Sequence, residues 1–136
     1  MKKIMLVCAV VFAFALSASA QTSSKAEFKF TAEKYDFGKI PQNKPVTTNF
    51  EFTNIGEEPL IITEVRPTCG CTVADYIKTP VKKGEKGFVK ITFNAAVPGV
   101  FTKTIVITSN AKVPTQNLTF TGEVLPAPAP STVGTR

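Results

Sequence analysis

The residues whose types and spacing could do chemistry are Cys69, Gly70, Cys71 and Thr72. Two cysteines one residue apart admit three kinds of chemistry. They can close a local disulfide. The chain-entropy gain for a three-residue loop is only about 1.6 kcal/mol, against about 3 kcal/mol for a 15-residue loop, so such a bridge is a poor staple. Gly70 is expected to make closure possible by adopting φ > 0 where the small ring must turn. Small rings tend to be strained and strained disulfides are easier to reduce, so the same spacing suits thiol–disulfide exchange. As thiolates, the pair could hold Cu(I), which accepts soft sulfur ligands. Zinc wants four ligands, and the chain contains no histidine to complete the set, so no metal site is assigned.

Other catalytic arrangements fare poorly. Without histidine there is no Ser-His-Asp or Cys-His pair. Ser109 is the only serine between residues 28 and 125. A two-carboxylate hydrolase needs acids facing one another across a cleft. Asp36, Glu51, Glu64 and Asp75 read instead as outward strand or loop residues, with Glu64 the one that alternation leaves unexplained. Gly84-Glu85-Lys86-Gly87 has the composition of a turn and the wrong spacing for a phosphate loop. The expectation is a protein that is not an enzyme and carries no cofactor.

The elements around these residues read as strands. Phe28 and Phe30 alternate with Lys29 and Thr31, and Tyr35-Asp36-Phe37-Gly38 repeats the period of two, with Gly38 permitting a bulge. Pro41 to Pro45 reads as a loop. Val46 to Phe52 is the clearest strand, with Val46, Thr48, Phe50 and Phe52 inward. Asn54 to Pro59 is a turn cluster. Leu60 to Val65 is an apolar run of ambiguous register, to be resolved by two half-buried faces or by a bulge, and Pro67 marks its end. The cysteine loop follows, then a turn-rich excursion from Tyr76 to Gly87. Val89, Ile91 and Phe93 alternate with polar neighbours. After the Pro98-Gly99 turn, Phe101, Lys103, Ile105 and Ile107 share one face; Leu118, Phe120 and Val124 close the pattern. About seven short strands without a sustained helical period predict an all-β protein, an immunoglobulin-like β-sandwich over residues 28–125. No βαβ alternation is present, so parallel pairing is not expected.

The ends set the compartment. Lys2 and Lys3, the uncharged run Ile4 to Leu16 and Ala18-Ser19-Ala20 form a signal peptide cleaved after residue 20. The run is shorter than the roughly 17–25 residues of a spanning helix, so no transmembrane span is expected in the mature chain. Cys8 leaves with the signal, and the net charge falls from +6 to +4. The expected location is periplasmic or extracellular, where disulfides persist. The lysines are scattered among glutamates, and Arg66 is the only arginine before Arg136, which argues against a nucleic-acid partner. Residues 126–136, beginning Pro126-Ala127-Pro128-Ala129-Pro130, read as a flexible tail.

Tyr35-Asp36-Phe37-Gly38, Phe52-Thr53-Asn54-Ile55-Gly56, Pro59-Leu60-Ile61-Ile62, Cys69-Gly70-Cys71-Thr72 and Pro98-Gly99, in this order and spacing, resemble a family of exported bacterial proteins known only as a domain of unknown function and common in Bacteroidetes. The resemblance spans about residues 28–125. It implies an immunoglobulin-like sandwich related in shape to major-sperm-protein and Hydin-type domains, which mostly act as scaffolding or docking modules. It carries over no catalytic residue.

These readings converge on an exported, non-catalytic immunoglobulin-like module. It would bind or scaffold an unidentified protein or envelope partner, with Cys69, Gly70, Cys71 and Thr72 as its binding loop and Cys69–Cys71 as its disulfide. The alternative is a periplasmic thiol-active or Cu(I)-binding protein working through the same loop.

Overall fold

A computed structural model describes residues 25–128. The expected signal peptide, Cys8 and most of the expected tail lie outside the described residues. Eight strands occur in chain order: β1 (Phe28–Phe30), β2 (Lys34–Pro41), β3 (Val46–Asn54), β4 (Ile62–Pro67), β5 (Thr72–Tyr76), β6 (Lys86–Phe93), β7 (Gly99–Ser109) and β8 (Thr115–Leu125). They form two four-stranded sheets, ordered β1-β3-β6-β5 and β2-β8-β7-β4. The architecture is the expected all-β sandwich. Among the described residues no helix is long and apolar enough to cross a membrane.

The core is built by alternation. On β3, Phe50 and Phe52 are buried while Thr47, Asn49 and Glu51 face out; on β6, Val89, Ile91 and Phe93 are buried between exposed or half-exposed neighbours. Phe101, Ile105 and Ile107 of β7 and Leu118, Phe120 and Val124 of β8 supply the opposing layer. Burying one large apolar side chain is worth about 1.5–3 kcal/mol, so these stripes dominate the stability of the sandwich. At one end of the core the rings of Phe93, Phe101 and Phe120 form a cluster, with Phe93 and Phe101 centroids 4.4 Å apart.

Four expectations need correction. The strand count is eight, because Thr72–Tyr76, read as loop, is an edge strand paired with β6. It escapes a period-of-two reading because Val73 is exposed and apolar and Asp75 is the only charge. Second, β2 and β8 pair in parallel. No local crossover is needed, since the chain makes the rest of the sandwich between them. Third, Pro41 belongs to β2, where it occupies a sheet edge that needs no donor. Fourth, Asn54, read as the first residue of a turn cluster, is the last residue of β3, and it is fully buried.

The ambiguous run is resolved by a bulge. Pairing of β4 with β7 shifts register between Ile62 and Glu64. Leu60 and Ile62 therefore face the core, while Glu64 faces solvent and its Oε1 accepts from Arg66, two residues on along the same face, at 2.7 Å. This accounts for Glu64 without any catalytic role.

Candidate functional site

The Cys69-Gly70-Cys71 turn is where the chain passes from one sheet to the other. It joins β4, at the edge of one sheet, to β5, at the edge of the other. Both ends are tied down by backbone hydrogen bonds. Thr68 N–H donates to the Thr104 carbonyl of β7 at 3.0 Å, and Asn94 N–H, just after β6, donates to the Cys71 carbonyl at 3.0 Å. Cys69 and Cys71 are joined in a disulfide, with Cα atoms 5.4 Å apart. Thr72 is buried, and its Oγ1 lies 3.8 Å from the Cys69 sulfur and 3.9 Å from the Cys71 sulfur. Its hydroxyl thus has weak sulfur partners in place of water.

Gly70 does not play the expected part. It is not among the glycines with positive φ, which are Gly38, Gly84 and Gly99, and a Cβ at Gly70 would meet nothing within 4 Å. The turn closes with Gly70 in a conformation open to ordinary residues, because Thr72 N–H reaches back to the Cys69 carbonyl at 3.4 Å and sets the bend.

The turn also closes the edge of β5. The bonds from Asn94 to Cys71 and from Ile77 to the Phe88 carbonyl, with the register between them, leave Thr72, Ala74 and Tyr76 as the residues whose backbone faces away from β6. Thr72 N–H is taken by Cys69, and Tyr76 N–H is taken by the side chain of Asp75 at 2.9 Å. Only Ala74 keeps an outward N–H on this edge. Such an edge is guarded against addition of another strand. The carboxylate of Asp75, weighed in the sequence as a hydrolase candidate, is used here. That of Asp36 is likewise engaged, accepting from Gly38 N–H at 2.8 Å.

Beside the turn lies an open pocket of about 170 Å³. Cys71 forms one wall. Phe93 and Phe101 line it from the aromatic end of the core, the β6–β7 loop supplies Asn94, Ala96, Val97 and Pro98, and the start of β7 supplies Gly99 and Val100. The loop is braced from outside: Asn43 N–H donates to the Ala95 carbonyl and Gln42 Nε2 donates to the Ala96 carbonyl, both at 2.9 Å. Val97 is 76% exposed and Val100 82% exposed. Two valines so open beside an apolar well are the surface that stands out here, because scattered apolar residues are ordinary but grouped ones are not. Lys103 is the one charged residue in the lining.

Of the four expected site residues, Cys71 lines the pocket, Cys69 is bonded to Cys71, Thr72 packs against both sulfurs, and a side chain at Gly70 would meet open space. Sequence reasoning did not single out Val97, Val100 or Lys103. The available signals were the valines flanking Pro98-Gly99 and a lysine standing within an inward apolar stripe. Among the described residues no three His, Cys, Asp or Glu side chains gather as metal ligands. With both sulfurs in one bond, this loop presents no thiolate for Cu(I) in the state described.

A family model described as "Protein of unknown function (DUF1573)" matches residues 28–124. No curated protein matches the chain in sequence. Among solved structures, a protein of unknown function from Porphyromonas gingivalis W83 is similar with a TM-score of 0.66 and 17% identity, over 79% of this chain and 51% of that one. The chain thus spans about half the length of that relative. A PapD-like domain of human CEP192 is similar with a TM-score of 0.56 and 15% identity, over 77% of this chain and 88% of that domain. A chain of the CsuC–CsuE chaperone–tip adhesion subunit pre-assembly complex from Acinetobacter baumannii is similar with a TM-score of 0.53 and 14% identity, over 73% and 57% respectively. At these identities the likeness establishes the PapD-like and immunoglobulin-like fold.

Proposed function

The chain belongs to the DUF1573 family, and from that premise and the geometry above we propose that it is an exported, non-catalytic immunoglobulin-like module that docks a protein partner at the cell envelope. The docking surface is the end of the sandwich formed by the disulfide turn and the β6–β7 loop. The observation that carries this reading is the open pocket between Cys71 and the two exposed valines, Val97 and Val100. Monomeric proteins seldom leave grouped apolar side chains beside a preformed well without a partner for them.

Three further points support it. The basic start, apolar run and small-x-small site of residues 2–20 suit export, and a disulfide suits an oxidising compartment. The scattered lysines offer no stripe for nucleic acid. Three of the four candidate acids, Asp36, Glu64 and Asp75, are engaged in local structure, and no histidine is available as a base, so the reading needs neither a catalytic residue nor a cofactor. The same fold occurs in the chaperone–subunit pre-assembly complex, where protein is the ligand.

The test is capture from envelope extract by the exported protein. Replacing Val97→Asp together with Val100→Asp is expected to leave the fold intact, since both are surface positions, and to reduce capture at least about tenfold. Lys82→Glu, an exposed change in the turn before β6, serves as the control. Equal capture by the valine variant and the wild type would sink the assignment of this surface.

A further inference from the structure

We propose that the pocket beside the disulfide turn recognises the C-terminal end of a partner polypeptide, taking the last apolar side chain into the well and the free carboxylate onto Lys103. This rests on the docking reading above and gives it a ligand chemistry.

The first observation is the position of Lys103. On β7 it belongs to the inward stripe with Phe101, Ile105 and Ile107, all three buried, and it is itself half-buried. A lysine in such a stripe packs its methylene stem among the apolar side chains and holds its ammonium at the rim, where an incoming anion can meet it. Among the described residues the ion pairs are Arg66–Glu64 and Lys83–Glu57, and neither involves Lys103. A cation without an ion-pair partner among the described residues therefore shares the lining with Cys71, Phe93, Val97 and Phe101. A ligand that brings an anion into the same well complements both its apolar wall and its charge.

The second observation is size. About 170 Å³ is below the range of roughly 300–1,000 Å³ that encloses a drug-sized ligand or cofactor, and it suits one large apolar side chain. A polypeptide chain presenting that side chain needs its carboxylate close by. In an extended segment successive side chains point to opposite faces, so an acid next to the pocketed residue would point away from Lys103. A terminal carboxylate sits on the same Cα as the pocketed side chain and reaches the same well. A single cation with a single apolar well is thus matched by a chain end. The guarded edge of β5 favours the same mode, because it leaves little backbone for strand addition beside the turn.

The experiment uses the full exported chain, isotopically labelled, titrated by NMR with the pentapeptides Gly-Ser-Gly-Ser-Leu and Gly-Ser-Gly-Ser-Phe, each as free acid and as amide. The expected result is saturable shifts at the β6–β7 loop and Cys71 with the acid, at least about tenfold tighter than with the amide. Lys103→Gln should bring the two forms to within about twofold, and Lys103→Arg should restore the preference. An acid bearing a final lysine in place of the apolar residue should not bind. Equal binding of acid and amide to the wild type overturns the carboxylate reading. Binding of an amidated peptide with an internal glutamate, at the strength of the free acid, overturns the chain-end reading in favour of an internal acidic segment. If no peptide binds while valine-dependent capture from envelope extract persists, the chain-end inference fails and the docking surface stands. If capture is also independent of Val97 and Val100, both fail.

Discussion

Asn54 and Val81 are 27 residues apart, and the side-chain amide of Asn54 donates to the Val81 carbonyl at 2.9 Å inside the protein. The same amide nitrogen donates to the Glu58 carbonyl at 2.7 Å, and the Asn54 Oδ1 accepts from Glu27 N–H at 3.1 Å and Gly56 N–H at 2.9 Å. Its main chain also accepts from Gly84 and donates to Glu85. One buried asparagine thus satisfies backbone groups of the segment before β1, the β3–β4 connection and the β5–β6 connection. Val81 in turn bridges to Leu60, which fixes where the β3–β4 connection enters the core.

Asn54→Ala should therefore be among the most damaging single changes. It takes the side-chain partner from four backbone groups; the Val81 carbonyl keeps Leu60 N–H, and the other three, Glu27 N–H, Gly56 N–H and the Glu58 carbonyl, are left unpaired at about 1–3 kcal/mol for each that is buried. A loss of at least about 3 kcal/mol in chemical denaturation is expected. Asn54→Asp should also destabilise, because its oxygens would face the carbonyls of Glu58 and Val81. A loss below about 1 kcal/mol for Asn54→Ala would show that the hub has no structural weight.

Removing the disulfide should matter much less. Cys69→Ser with Cys71→Ser is expected to cost about 1–2 kcal/mol, since the closed loop is tiny and the turn is held to both sheets through Thr68 and Asn94. Circular dichroism should keep its β signature. A double variant that fails to fold would make the bridge a structural staple after all.

Two glycines separate backbone need from packing need. Gly70→Ala should change stability by less than about 0.5 kcal/mol, because its Cβ meets nothing and its φ is not left-handed. Gly87→Ala should cost about 1–3 kcal/mol, because a Cβ there would press on the buried ring of Phe52, which packs edge-on against Phe28 and Phe30. Paired melting curves check both. Equal losses at the two sites would mean that neighbouring atoms do not set the cost.

The sandwich was legible in the sequence because its signal is local. Val46 to Phe52 and Phe88 to Phe93 alternate residue by residue, and a strand with one buried face must write that period into its own side chains. The cysteine turn was legible for the same reason, since two thiols one residue apart are neighbours in any fold. The bulge in β4 was half legible: Leu60 to Val65 showed that a simple register fails, and only pairing with β7 decided that Ile62 turns in and Glu64 turns out.

Other features depend on residues far apart in the chain. Asn54 sits in a run of turn formers, and nothing near it announces that Glu27 and Val81 will need its amide. The parallel pairing of β2 with β8 joins residues about 85 positions apart, beyond the reach of any local pattern. The pocket is the same case: Cys71 closes one chain turn, Val97 belongs to another, and Val100 and Lys103 to β7. Composition and periodicity by themselves determined an all-β chain with a cysteine turn, because strand faces and neighbouring thiols are properties of adjacent residues. Only the tertiary structure decided which surfaces that turn meets and which lysine lines the pocket beside it, because those depend on how the two sheets are stacked.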